Sequence, residues 1–314
     1  MDNKLIFTVQ INNLILMPSL PPCATLKMPI LYIKTEDIQA RIHVPFARVL
    51  SFISNGEELL HTIPESSPIE SPKPFSMQKD HGFWPELCLV ENNQLFHLLA
   101  REVSWNLKSV VDSDGKILLT FISKTNKPAI DLVFEVKLRP EKISGSVSAR
   151  YFGKTDDPET VQIDVGVMAA LKVNNVLRSS LRGEFRDGLI FNFENGDITK
   201  SSLKNSLLIR ETCDKVLIPT KSEQLLKSEK CSYSISHPNS FHLRVRKFIP
   251  VKVEGNDFLD SITIGAGYFK AGDFLSGKSI ERTDVRFNLD KEYQKLCDLK
   301  IKRMAKVVEN GLFH

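Results

Sequence analysis

KILLTFISKTNKPAIDLVFEVKLRPEKISGSVSARY, residues 116–151, is the stretch whose reading decides the fold. Ile117, Leu119 and Phe121 recur at every second position, then Leu132, Phe134, Val136 and Leu138 against Glu135 and Lys137. Ile143, Val147, Ala149 and Tyr151 repeat the pattern. Period two puts one set of side chains in a core and the other on the opposite face, the signature of half-buried antiparallel strands. Outward from this stretch the same period returns in Leu5, Phe7, Val9 and Ile11, and in Ile38, Ala40, Ile42 and Val44. It returns again in Val161, Ile163, Val165 and Val167. Asp114-Gly115, Asp187-Gly188 and Asn195-Gly196 supply the positive φ angles of tight hairpins. The expectation is a mainly β (α+β) protein: an antiparallel β-sandwich, jelly-roll-like core or barrel with a few peripheral helices.

Three helices are expected at its edges. Pro45 opens a short one carrying Phe46, Val49, Leu50 and Ile53. Phe96, Leu99, Val103, Leu107 and Val110 form a longer stripe, capped by Asn92 or Asn93. At the C-terminus Asp290 caps an amphipathic helix with Tyr293, Cys297, Ile301, Met304 and Val308 as its apolar stripe and Gly311 at its end. Residues 167–181 read as either strand or helix. Pro64, Pro68, Pro72, Pro74 and Pro85 preclude a regular ladder between them. That segment reads as a long surface loop within one extended unit, 1–314; the alternative is a boundary separating 1–63 from 86–314.

With 314 residues, 42% hydrophobic and 25% charged, the chain has the makings of a buried core. A net charge of +4 permits an anionic partner without requiring one. Five scattered cysteines, an odd number, fit a reducing compartment better than a disulfide framework. The N-terminal apolar run is broken by Gln10, Asn12 and Asn13 and lacks a signal-peptide cleavage site. No run of ~18 apolar residues suits a membrane helix. An intracellular protein, not secreted, is expected.

Catalytic motifs each lack their context. Gly272–Ser279 matches the phosphate loop letter for letter, yet Ile280–Phe287 alternates like a strand where the loop needs a helix. Cys213, Cys231, His237 and His242 do not have zinc spacing, and Asp112-Ser113-Asp114-Gly115 lacks the later acid of a calcium loop. No nucleophile elbow occurs. The expectation is no enzyme, no catalytic residue, no cofactor and no metal.

Basic residues carry the functional hint. Between Phe241 and Val253 apolar residues hold the odd positions apart from Lys247, and His242, Arg244, Arg246 and Lys252 gather on the other face. The C-terminal helix adds Lys295, Lys302, Arg303 and Lys306. Such faces neutralise phosphates without reading sequence, although a sheet or helix also shows charge simply to water. The reading is a sequence-nonspecific, single-stranded nucleic-acid-binding protein, with self-association as a further partner expectation. The alternatives are a protein-interaction or structural module and, remotely, a phosphate-loop enzyme.

The strand series Ile117–Phe121, Leu132–Leu138, Ile143–Tyr151 and Val161–Val167 resembles plant-virus movement proteins of the 30-kilodalton superfamily. Asp131 and Asp164 are the nearest counterparts of that family's characteristic Asp. The resemblance implies a jelly-roll-like core, cooperative binding of single-stranded nucleic acid, and action at plasmodesmata from the host cytoplasm.

Overall fold

The structure is a computed structural model. It describes residues 19–62, 81–91, 94–97, 103–126, 129–151, 162–173, 178–185, 188–192, 198–201, 206–208, 213–238, 242–247, 261–268 and 294–304. Its strands are β1 (Ala24–Lys27), β2 (Ile30–Lys34), β3 (Ile38–His43), β4 (Arg48–Ser54), β5 (Glu57–Glu58), β6 (Phe83–Glu91), β7 (Gln94–His97) and β8 (Asn106–Ser113). There follow β9 (Lys116–Asn126), β10 (Ala129–Arg139), β11 (Lys142–Tyr151), β12 (Gln162–Lys172), β13 (Ser180–Arg182), β14 (Gly188–Asn192) and β15 (Ile198–Ser201). The last are β16 (Ser206–Leu208), β17 (Cys213–Leu217), β18 (Glu223–Lys227), β19 (Ser232–Ser236), β20 (His242–Lys247), β21 (Ser261–Tyr268) and β22 (Gln294–Arg303).

Two sheets form. The larger, of 13 strands, runs β1-β2-β3-β4-β6-β12-β21-β20-β17-β14-β15, with β5 on β4 and β7 on β6. The smaller, of nine strands, runs β16-β13-β18-β19-β22-β11-β10-β9-β8. Every pairing between them is antiparallel. In each sheet a late strand joins two halves: β21 lies between β12 and β20, and β22 between β19 and β11.

The opening stretch behaves as its alternation demands. Phe134 pairs with Phe121 on one side and Val147 on the other, and all three are fully buried. The Phe134 ring centroid lies 6.3 Å from Phe83 of the large sheet and 6.1 Å from Trp105. The sandwich core sits there, between the sheets. Gly145 makes room for it: a Cβ would stand 2.5 Å from the Phe83 ring. The Asp114-Gly115 turn closes β8 onto β9 with φ of 50° and 68°, the geometry a two-residue hairpin needs. Asp187 and Asn195-Gly196 lie outside the described residues, as do Leu5–Ile11 and most of the proline-rich segment. Pro85 itself lies within β6, opposite Val167.

The expected helices are corrected. Among the described residues there is no α-helix, and Pro45 lies in the three-residue 3-10 turn Val44–Phe46. Val49, Leu50 and Ile53 belong to β4, and the helix-like spacing arises at a bulge where Arg41 and Ile42 face Ser51 and Val49. Phe96 lies in β7, and Leu107 and Val110 in β8. The C-terminal helix is strand β22 over Gln294–Arg303, held by β11 and β19. Leu299 and Ile301 are buried while Lys300 and Lys302 are exposed, a period-two pattern that a two-sided sheet rewards and a helix does not. The ambiguous 167–181 segment is strand at both described ends, in β12 and β13. Among the described residues no helix is long and apolar enough to cross a membrane.

Candidate functional site

Within β6, Phe83 points into the core, so Trp84 and Glu86 project from the outer face of the large sheet. Directly opposed residues of antiparallel neighbours share a face. The register therefore sets Trp84, Met168, Gly265 and Arg244 in one row across four strands, and Glu86, Gly166, Gly267 and His242 in the next. The centre of this outer face is shielded from water. Trp84, Glu86, Met168 and Arg244 are all buried.

Arg244 donates from Nη1 to Glu86 Oε1 at 2.7 Å, and both side chains are 8% exposed. Their strands are separated by β12 and β21, a span of roughly 14 Å at ordinary strand spacing. The two long side chains thus meet above Gly166, Gly265 and Gly267. Missing Cβ atoms keep that floor low, and one added at Gly265 would stand 1.9 Å from the Met168 sulfur. Glycine within a strand weakens it and marks a close approach; here what approaches is the ion pair and Met168.

A second polar group adjoins it. Val49 opposes Phe83 on the core side, so Arg48 emerges on the outer face. Its guanidinium sits 4.7 Å above the Trp84 ring, and Nη1 donates to His81 Nε2 at 3.3 Å. Arginine has no acceptor, so this contact uses the unprotonated Nε2 of His81. Gly82 fixes the arrangement: its φ is +76° and a Cβ would stand 2.2 Å from the Val49 carbonyl oxygen. His43 opposes Arg48 in register and stacks on Phe46 at 4.4 Å. Burial first, then the Arg48 charge, holds its imidazole below the usual range. Nearby, Glu58 accepts from the backbone N–H of Phe52 at 2.8 Å, that of Leu60 at 3.1 Å, and the Ser51 hydroxyl. Among the described residues no group of three metal-ligating side chains occurs.

The structure separates the residues that the basic-face reading had joined. Arg244 is buried in its ion pair, and Arg246, half-buried, opposes Thr263 on the same sheet. His242 opposes Gly267. Lys295 and Lys302 lie in β22 of the other sheet, where Lys302 is exposed. Arg303 turns the other way and pairs with Glu57. Lys252, Lys306 and the phosphate-loop stretch 272–279 lie outside the described residues. Asp131 sits 3.5 Å from Lys124, and Asp164 opposes Cys88 in register. Arg48, His81, Trp84 and Glu86 did not stand out in the sequence. The one local signal was His81-Gly82-Phe83-Trp84, a glycine between a histidine and two aromatics just after the proline-rich segment.

No family model and no curated protein matches the sequence. Solved structures do match in fold. A candidate mutarotase from Salmonella typhimurium superposes with a TM-score of 0.65 at 13% identity, covering 92% of this chain and 96% of that one. A candidate aldose 1-epimerase from Escherichia coli K12 gives 0.60 at 11%, covering 88% and 98%. A galactose mutarotase-like protein from Clostridium acetobutylicum gives 0.57 at 9%, covering 88% and 94%. The chain has a galactose mutarotase-like fold. The reading as a nucleic-acid-binding viral movement protein is overturned: the fold neighbours are mutarotase- and epimerase-like, and among the described residues Arg244 is committed to Glu86 while Lys302 lies on the other sheet.

Proposed function

We propose that the chain binds a sugar on the outer face of the large sheet and leaves its anomeric carbon unreacted. The observation that carries the reading is the Arg48–His81–Trp84 group, three buried side chains on the face turned away from the core. A polyhydroxyl ring can add to the contacts that these side chains already make. Its C–H edges pack on an indole, and its hydroxyls take charge-assisted hydrogen bonds from a guanidinium. The fold supports a sugar as ligand, since the proteins it resembles are described as mutarotase- or aldose 1-epimerase-like.

The non-catalytic half rests on the carboxylates. Interconverting anomers needs an acid at the ring oxygen and a base at the anomeric hydroxyl. Glu86, on the same strand as Trp84, is committed to Arg244, and Glu58 to the backbone N–H groups of Phe52 and Leu60. Ligand-observed NMR with a panel of aldohexoses tests both halves. Saturation transfer to a sugar is expected, lost in Trp84→Ala with the circular dichroism unchanged, and anomer exchange no faster than in buffer. Faster exchange overturns the non-catalytic half. No transfer to any sugar overturns the whole.

A further inference from the structure

We propose that β8, the strand that ends the small sheet, pairs with β8 of a second copy of this chain about a two-fold axis through Val111. Among the described residues β8 is bonded to β9 on one side and to no strand on the other. The two-residue Asp114-Gly115 turn makes Ser113 and Lys116 the first pair to exchange backbone bonds. Alternation then turns the N–H and C=O of Ser113 and Val111 toward β9, and those of Asp112 and Val110 toward the open side. Among the described residues no backbone group bonds to these outward donors and acceptors.

A two-fold through Val111 lets this edge complement itself. Val110 of one copy opposes Asp112 of the other, so their outward groups exchange both backbone bonds, once on each side of the axis. Val111 meets its own counterpart; it is 47% exposed, and apolar β-branched side chains gain from an apolar neighbour across strands. Ser109 opposes Ser113, and Lys108 comes alongside the turn residue Asp114, which brings opposite charges together at both ends. No like charges are opposed over Lys108–Asp114 in this register. Asp112 keeps the Cys23 thiol as a donor at 3.4 Å, and Asp114 the Ser113 hydroxyl at 3.3 Å, and neither contact uses the backbone of the edge. A lysine and a bulge guard an edge against indiscriminate pairing. Both lie at one end here, Lys108 at the register shift between Leu107 and Ser109, and Ser109–Ser113 stays in regular register with β9. An edge guarded at one end and self-complementary along the rest favours a second copy over an arbitrary peptide. A two-fold contact closes on itself as a dimer.

Sedimentation velocity of the full chain from ~1 μM to ~1 mM, the range in which small interfaces dissociate, tests it. A monomer–dimer equilibrium is expected, with no larger species. Val111→Lys sets two ammonium groups against each other at the axis and should weaken the dimer by about tenfold, and Val111→Glu should do the same with two carboxylates. An equimolar mixture of these two variants should dimerise again, because the opposed charges then attract. Val111 is exposed, so the circular dichroism and thermal melt of each variant should match the parent. Asp112→Pro removes an N–H that β9 does not use and should also leave a monomer. A monomer throughout, a dimer undiminished by Val111→Lys or Asp112→Pro, a mixture that stays monomeric, or growth beyond the dimer overturns the proposal.

Discussion

The two outer faces of the sandwich differ in what lies over them. On the large sheet Trp84, Glu86, Met168 and Arg244 are buried, and charge is cancelled side chain to side chain. On the small sheet Lys137, Lys300 and Lys302 are exposed, and Lys302 opposes Lys142. Both faces come from the same alternation of apolar and polar residues. Polarity at every second position therefore says only that a residue faces away from the core. Whether that direction leads to solvent depends on what packs above it.

The sharpest way to break the contrast is to remove one member of the buried pair. Arg244→Ala should cost about 3–5 kcal/mol, since it strands the Glu86 carboxylate out of water. Replacing both, Glu86→Leu with Arg244→Met, should recover most of that loss in urea denaturation. An Arg244→Ala variant as stable as the parent would mean that Glu86 is not held out of water by its surroundings. Next comes packing. Gly265→Ala presses a methyl against Met168 and should cost about 1–3 kcal/mol, while Ser144→Ala on the small sheet should change stability by less than ~0.5 kcal/mol. Thermal melts of the two variants compare the faces directly.

Acid should also act on the large-sheet side. Unfolded His43 takes a proton near its usual pKa of ~6.5, but the folded site resists it because of burial and Arg48. Its contribution is whole above about pH 6.5 and declines as pH falls toward the lowered folded value. His237, lowered by burial against the opposing effect of its Pro238 carbonyl contact, adds in the same direction. Urea midpoints at pH ~7.5 and ~5.5 should therefore diverge, and less so in His43→Phe. The smallest effect has the opposite sign. Lys302→Glu, placed opposite Lys142, should stabilise by about a few tenths of a kcal/mol, because it replaces a like-charged cross-strand pair with an oppositely charged one.

Much of the strand content was legible because Leu132–Leu138 and its neighbours alternate without interruption. The C-terminal strand was misread for an arithmetic reason. Tyr293, Cys297 and Ile301 are four apart, which is one face of a helix and equally one face of a strand. The discriminating residue was Leu299, which a helical stripe does not use and a strand does. The site was less legible. Arg48, His81 and Glu86 are isolated in sequence, and the partner of Glu86 lies 158 positions away. Arg244 was noticed, but its alternation could not reveal that Glu86 reaches it over three glycines.

The placement of β21 and β22 has a consequence for how the chain becomes one body. Each is the seam of its sheet, joining a block of earlier strands to a block of later ones. A chain emerging from its N-terminus exposes β12 and β20, β11 and β19, as bare edges until residues 261–303 arrive. Bare edges are templates for pairing with other chains, and closing them brings together segments distant in sequence, which is slow. Assembly should thus end with two late insertions, and losing either strand should favour aggregation over a smaller folded protein.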